Sequence, residues 1–276
     1  MSADIAEVVV VDNADSSETQ SLVREFAKVL PLRLIEERRP GLSRARNAAL
    51  ESVATDYIVY LDDDAIPDAT WGAAVGKAMN EYWADYFGGP YRPYYLNRPP
   101  HWYLDKYGSK YIGMKEGRLS SGQYVSGGNM GWRVSLLRRA GGFDPELGMN
   151  AAKLALGEET QLQALIQKGY PDTRGYFLPE MSMKHFVPPY KLRLAYFWRR
   201  SWAYGRILHR VDSSDPILNT SLLDLVIQTR LGMPIVTRAF VRDSDIHPFW
   251  QNYMVDYLSR HGVAAGVVWN RLFGHK

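Results

Sequence analysis

The sequence predicts an α/β protein, a Rossmann-like and mostly parallel sheet flanked by helices, with a helical C-terminal appendage. Three observations predict it. From Ala6 to Leu61, short β-branched runs alternate with helical patterns, a β-α-β-α-β rhythm that asks for parallel strands and right-handed crossovers. The strands end abruptly in acidic or glycine-rich clusters, as they do where an open α/β sheet binds its ligand. From Tyr190 onward the periodicity is helical.

Ala6–Val11 contains four consecutive valines and reads as a buried parallel strand. Asp12, Asn13, Asp15 and the following serines form a turn cluster able to cap a helix over about Glu18–Leu30. Leu32–Glu36 is a second strand. Gly41-Leu42-Ser43 opens a helix over Arg44–Val53, with Ser43 as N-cap and Leu42, Ala45, Ala49 and Val53 on one face. Tyr57–Leu61 is a third strand, closed by Asp62-Asp63-Asp64 and by Pro67, which cannot continue regular pairing.

A helix is expected over Trp71–Tyr82 and a strand over Asp85–Gly89. Gly88–Trp102 holds four prolines, four aromatics and two arginines and reads as a loop or lid. Gln123–Ser126 is expected as a strand, after which Gly127-Gly128-Asn129 lets backbone approach a ligand closely. A short helix over Val134–Ala140 ends at Gly141-Gly142, and Asp144–Gly157 is a loop. A helix then begins at Glu158 with Leu162, Leu165 and Ile166 inside, and Gly175–Leu178 is a strand shortly before His185. Helices are expected over Leu192–His209, Leu218–Arg230 and Phe249–His261. The division is therefore 1–189 for the sheet domain and 190–276 for the helical region.

At 276 residues, 46% hydrophobic and 23% charged, the chain can bury a substantial core. A net charge of +3 is too small to argue for a nucleic-acid partner, but its distribution is uneven. Residues 190–276 carry 12 Lys+Arg against 6 Asp, a balance of +6, which leaves −3 for residues 1–189. Basic residues concentrated beside aromatics fit a membrane surface or an anionic partner. The absence of cysteine excludes disulfides and thiolate metal sites and fits a cytoplasmic chain. Neither a signal-peptide pattern at Met1–Glu7 nor an apolar run long enough to span a bilayer is present in this sequence.

Chemistry is concentrated at the strand ends. Three adjacent acids repel unless a cation or donors compensate, and an Asp-x-Asp pair suits Mg²⁺ or Mn²⁺ carrying a phosphorylated ligand. The plainer reading is a solvated turn in which Asp64 or Asp68 caps a helix. Arg44, Arg46 and Asn47 at a helix start could hold anionic oxygens, and His185 could complete a metal shell, although a late loop histidine is commonly just a surface residue. Glu158 and Glu159 lie in a first helical turn, where the helix dipole alone would favour them. A carboxylate placed there could equally serve as general base to a hydroxyl, provided burial offset the dipole's effect on its pKa.

In order, these stretches are Val-Val-Val-Val-Asp12-Asn13, Arg39-Pro-Gly-Leu-Ser-Arg44-Ala-Arg46-Asn47, Leu-Asp62-Asp63-Asp64-Ala-Ile-Pro-Asp68, Gly127-Gly128-Asn129, Gly157-Glu158-Glu159 and Pro179 to His185. Over about residues 6–187 the chain resembles a family 2 inverting glycosyltransferase. Each motif is weak alone, and six in the family's order are specific together. The resemblance implies the GT-A fold and transfer of one sugar, with inversion, from a nucleotide diphosphate sugar. It implies Asp12 at the nucleotide base, Arg44, Arg46 and Asn47 near the nucleoside and phosphates, and Asp62 at the ribose with Asp63 beside it. Gly128 and Asn129 would line the sugar pocket. Asp64 would hold Mg²⁺ or Mn²⁺ with His185 as a further ligand. Glu159 stands where the family usually has the Asp of a Glu-Asp pair, with Glu158 beside it, and would be the catalytic base. The implied partners are a UDP-sugar donor and a glycan or lipid-linked glycan acceptor; separately, the aromatics and arginines of the helix around Leu192–His209 either pack under the sheet domain and face water, or make a peripheral contact on the inner face of the membrane.

Two departures bear on these expectations. The family normally begins with a strand that helps bind the nucleotide, and the chain opens just before what resembles the second strand. A trimmed N-terminus or a misplaced start codon would account for that. The Gln-x-x-Arg-Trp signature of processive synthases is absent, Arg199-Arg200-Ser201-Trp202 being a partial echo, so a single transfer is expected. Two other classes compete. An aspartyl-phosphate phosphohydrolase would use Asp62 as nucleophile and Asp64 as acid-base, but leaves Gly41–Asn47 without a role. A degenerate sugar-binding module would use the many aromatics for stacking alone.

Overall fold

A computed structural model describes residues 7–149, 156–211, 215–221, 224–225 and 247–274. Among these the strands are β1 (Val8–Asp12), β2 (Leu32–Glu36), β3 (Tyr57–Leu61), β4 (Ala65–Pro67), β5 (Tyr86–Gly88), β6 (Tyr91–Tyr94), β7 (Gly117–Arg118), β8 (Asn129–Arg133), β9 (Gly175–Phe177) and β10 (Met183–Phe186). The helices are α1 (Ser17–Phe26), α2 (Leu42–Ser52), α3 (Trp71–Asn80), α4 (Val134–Arg139), α5 (Glu158–Gly169), α6 (Leu194–Val211) and α7 (Trp250–Phe273).

The strands form three sheets: β1-β2, β4-β10-β6 and β3-β8-β5-β9-β7. β1 pairs with β2, and β5 with β9, in parallel; β3 with β8, β5 with β8, β7 with β9 and β4 with β10 are antiparallel. The α/β class stands, but the main sheet is mixed rather than mostly parallel. The reason is local. β3 arrives at the acidic cluster and β8 leaves from the Gly127–Gly128 turn beside it, so Leu61 faces Asn129 and the two strands must run in opposite directions.

Gln123–Ser126 is not a strand. Side chains from α5 replace a ladder there: Gln163 donates to the Val125 carbonyl and accepts from its N–H, while Gln167 donates to the Gln123 carbonyl. The proline-rich segment after Gly88 is not wholly loop, because β6 lies at the edge of its sheet, where Pro93 is tolerated. α1 is capped by Ser16, which accepts from the Thr19 N–H. α2 begins at Leu42, so Ser43 lies inside the helix and its hydroxyl donates to the Leu147 carbonyl at 2.7 Å. The helix expected over Leu218–Arg230 falls largely outside the described residues; Pro216–Asn219 is a 3-10 turn.

The chain divides into two compact units, Met1–Arg92, Ser109–Lys153 and Glu158–His185 against Pro93–Gly108, Leu154–Gly157 and Phe186–Lys276. The second therefore recruits earlier segments rather than starting at residue 190. The first has two apolar centres. Trp132 stacks on Tyr86 among Leu137, Phe143, Leu162 and Ile166, and Phe87 packs with Ala74, Ala78 and Met181. In the second, Phe197 and Val255 enclose Tyr103, and Leu208 packs with Ala264 and Val267.

Candidate active site

Asp62 and Asp64 leave the end of β3, and the chain returns as β4. β10 pairs with β4 in a register that sets His185 opposite Ala65, one residue from Asp64. A histidine distant in sequence thereby comes to 3.2 Å from the Asp64 carboxylate and 3.7 Å from that of Asp62. One donor atom from each lies within 4.8 Å of the others. The ring of Tyr91 lies 5.3 Å from the His185 ring and backs it. Two carboxylate oxygens and an imidazole nitrogen are a donor set suited to Mn²⁺ or Mg²⁺, and all three side chains are half-buried, so an ion could reach them. Asp62, expected only at the ribose, is thus part of the metal-competent group. Asp63, between them, is exposed.

The Gly127–Gly128 turn is the floor between this group and α5. A Cβ on Gly128 would fall on the Asp62 carboxylate; one on Gly127 would come within 3.1 Å of the Arg46 guanidinium and 3.3 Å of the Glu159 carboxyl carbon. Glycine at both positions leaves room for that approach. The Asp62 N–H also donates to the Gly128 carbonyl, at 3.2 Å. Asp62, Arg46 and Glu159, scattered through the sequence, therefore meet across two residues without side chains.

Arg46 is buried, not turned out toward phosphates. Its guanidinium donates to Glu158 at 2.7 Å and lies 3.5 Å from Asp62, while Tyr60 donates its hydroxyl to the Arg46 carbonyl. Burial alone would lower its pKa, but Glu158, Asp62 and Glu159 together raise it, so it stays cationic. The Glu158 carboxyl moves upward, first through burial and then through repulsion from Glu159, with Arg46 opposing. Glu158 is accordingly the interior member of the pair. Glu159 faces the turn, its carboxylate 3.8 Å from the Lys110 ammonium and only 15% exposed.

Several other expected site residues also make contacts within the fold. Asn47 grips Phe143, donating to its carbonyl at 2.7 Å and accepting from its N–H at 2.9 Å. Asn129 is wholly buried: it donates to the Met181 carbonyl and accepts from the Trp71 indole. Asp12 accepts from the N–H groups of Ala14 and Ser16, and the adjacent Asn13 accepts from the Gly41 N–H at the start of α2. Arg44 is half-exposed on the same helix. Lys110, Tyr91 and Tyr60 join the site without any motif that could have announced them.

The α/β sheet flanked by helices is the fold of the GT-A glycosyltransferases it superposes on. Residues 2–141 match the family described as "Glycosyl transferase family 2", and the chain is a member of that family. Glycosyltransferase GlyA of Streptococcus pneumoniae serotype 4 is 29% identical over 86 residues, which are 31% of this chain. The match spans 12% of that protein's length. Among solved structures, a mannosyltransferase from Pyrobaculum calidifontis in complex with GDP-Man and Mn²⁺ superposes with a TM-score of 0.58 at 22% identity, covering 98% of this chain and 79% of its own. GalNAc-T7 with UDP, GalNAc and Mn²⁺ superposes at 0.51 and 12% identity, over 98% of this chain and 51% of its own. Family membership removes the aspartyl-phosphate reading.

Proposed function

We propose that this protein moves a single sugar, with inversion, from a UDP-sugar to a hydroxyl of a glycan or lipid-linked glycan. The observation that carries this reading is the meeting of Asp62, Asp64 and His185 with Glu159 across the Gly127–Gly128 turn. Asp64 and His185, with Asp62 beside them, would hold Mn²⁺ or Mg²⁺; bound there, the ion supplies positive charge to a diphosphate leaving group. Arg46 stays paired with the acids of the chain and holds the Asp62 loop to α5. Glu159 takes the proton from the acceptor hydroxyl, whose oxygen forms the new bond to the anomeric carbon. The bond from that carbon to the diphosphate oxygen breaks, and its electron pair leaves with the nucleoside diphosphate. One displacement inverts the configuration and needs no second carboxylate nucleophile.

The test is release of nucleoside diphosphate, and thermal shift, with UDP-, GDP- and dTDP-sugars, with and without Mn²⁺. The expected outcome is UDP release that needs the metal and is abolished in Asp64→Ala. Glu159→Gln should lower turnover by ~10²–10⁴ while leaving the metal-dependent thermal shift in place. Donor binding without release under any condition would favour the sugar-binding module. Equal metal-dependent shifts in wild type and Asp64→Ala would overturn the metal assignment.

A further inference from the structure

We propose that α6 and α7 together form a surface that docks this protein on an anionic phospholipid bilayer. The two helices run side by side in the same direction. Phe197 packs with Val255, Leu208 with Ala264 and Val267, and His209 is 3.2 Å from Asn270. Glycine makes the approach close: a Cβ on Gly205 would fall on the Val263 carbonyl, and one on Gly266 on the Trp202 carbonyl. The C-terminal turns of both helices therefore lie at the same end of the pair.

At that end α7 presents Trp269, Leu272 and Phe273, spaced as one helical face and 45%, 55% and 59% exposed. Trp269 lies 4.6 Å from the Phe273 ring and 6.2 Å from Trp202 on α6, so the aromatics form one group rather than scattered exposures. Arg206 covers Trp202 at 4.8 Å and is itself exposed; one turn earlier Trp198 and Arg199 are exposed as well. No Asp or Glu occurs anywhere in α6 or in α7 after Asp256.

Exposed indoles among arginines, on helix stretches that carry no acid, match the interface of a bilayer: rings settle at headgroup depth and guanidinium groups pair with lipid phosphate. No helix among the described residues is long and apolar enough to cross the membrane, so the contact lies on the surface. An acidic protein would meet the arginines but leave four large apolar side chains to be matched, whereas lipid takes both. The inference rests on the second unit alone and stands or falls independently of the transfer reaction.

Co-sedimentation with vesicles of mixed phosphatidylglycerol and phosphatidylcholine, compared with phosphatidylcholine alone at low salt, tests it. Wild type should partition at least about tenfold more strongly onto the anionic vesicles, and its tryptophan emission should shift to the blue. Trp269→Ser with Phe273→Ser should weaken partitioning about tenfold or more at unchanged thermal midpoint. Arg199→Gln with Arg206→Gln, a second variant for the case that the first folds poorly, should cut the anionic preference by roughly fivefold per arginine. Absence of wild-type partitioning at low salt, or equal partitioning by all three proteins, would overturn the proposal. So would light scattering that shows a dimer lost in the Trp269 and Phe273 variant together with no vesicle binding, since the surface would then join two copies of the chain.

Discussion

On one side of the Gly127–Gly128 turn, Asp62, Asp64 and His185 are 30%, 38% and 18% exposed; on the other, Arg46 and Glu158 are each 6% exposed. The open group faces water and can accept a cation from solution. The closed group already contains its cation, surrounded by carboxylates and sealed from water. Open acids tolerate substitution because water compensates for a lost partner; closed ones do not. Changes at the rim should therefore remove activity and spare the fold, and changes in the interior should damage the fold first. Asp62 belongs to both groups, 3.7 Å from His185 and 3.5 Å from Arg46.

The sharpest break comes at Arg46. Arg46→Met keeps much of the volume and leaves Glu158 buried beside Glu159 with no counter-charge. A loss of about 3–5 kcal/mol in urea unfolding is expected, as for other buried pairs deprived of one partner. A variant as stable as wild type would show that the interior pair contributes no more than the open rim does.

Glu158→Gln sharpens the same contrast through pH. The Glu158 carboxyl is raised above its ordinary value of 4.5 by burial and then by Glu159, so the folded protein binds that proton more tightly than the unfolded chain. Its contribution to stability is complete below the unfolded pKa and is lost as pH rises through the folded one. Wild type should therefore lose stability relative to Glu158→Gln from pH 4.5 up to about 7, by at most about 1.4 kcal/mol per pH unit. Thermal midpoints of the two proteins across that interval check it, and parallel curves would show that Arg46 fully cancels the burial of Glu158.

The same two groups divide what the sequence discloses from what it hides. The rim is legible because its acids are adjacent, follow a clear strand and precede a proline; pattern and chemistry agree at Asp62–Pro67. The part played by His185 is only half legible, since its position beside Asp64 depends on the β4–β10 register, which no local signal encodes. Arg46 is misread for a definite reason. Of Leu42, Ala45, Ala49 and Val53, expected on the inner face, Ala49 and Val53 are buried, but Ser43, Arg46 and Leu50 are buried as well, although a charged residue is assumed to face water. The buried face extends to Arg46, where Glu158, distant in sequence, gives the guanidinium a partner inside. Asn129 follows the same logic: it looks like a ligand-facing residue after two glycines, and its partners Trp71 and Met181 turn it inward. Long-range pairing of polar groups is what a periodicity argument lacks.

The smallest effect expected is at the rim itself, in the metal-free protein. Asp62 and Asp64 bring carboxylate oxygens within 4.8 Å of each other near water. Two like charges at that separation in a high-dielectric setting cost on the order of 1 kcal/mol or less. Asp64→Asn removes the repulsion and keeps the shape, so without metal it should be equal to wild type or more stable by at most about 1 kcal/mol. Adding Mn²⁺ should reverse the order, because only wild type retains the full donor set and gains stability by binding the ion. Differential scanning calorimetry of both proteins, with chelator and then with Mn²⁺, reads both signs. A variant much less stable than wild type in chelator would mean that Asp64 is a structural residue like Glu158, and the division between an open rim and a closed interior would not hold.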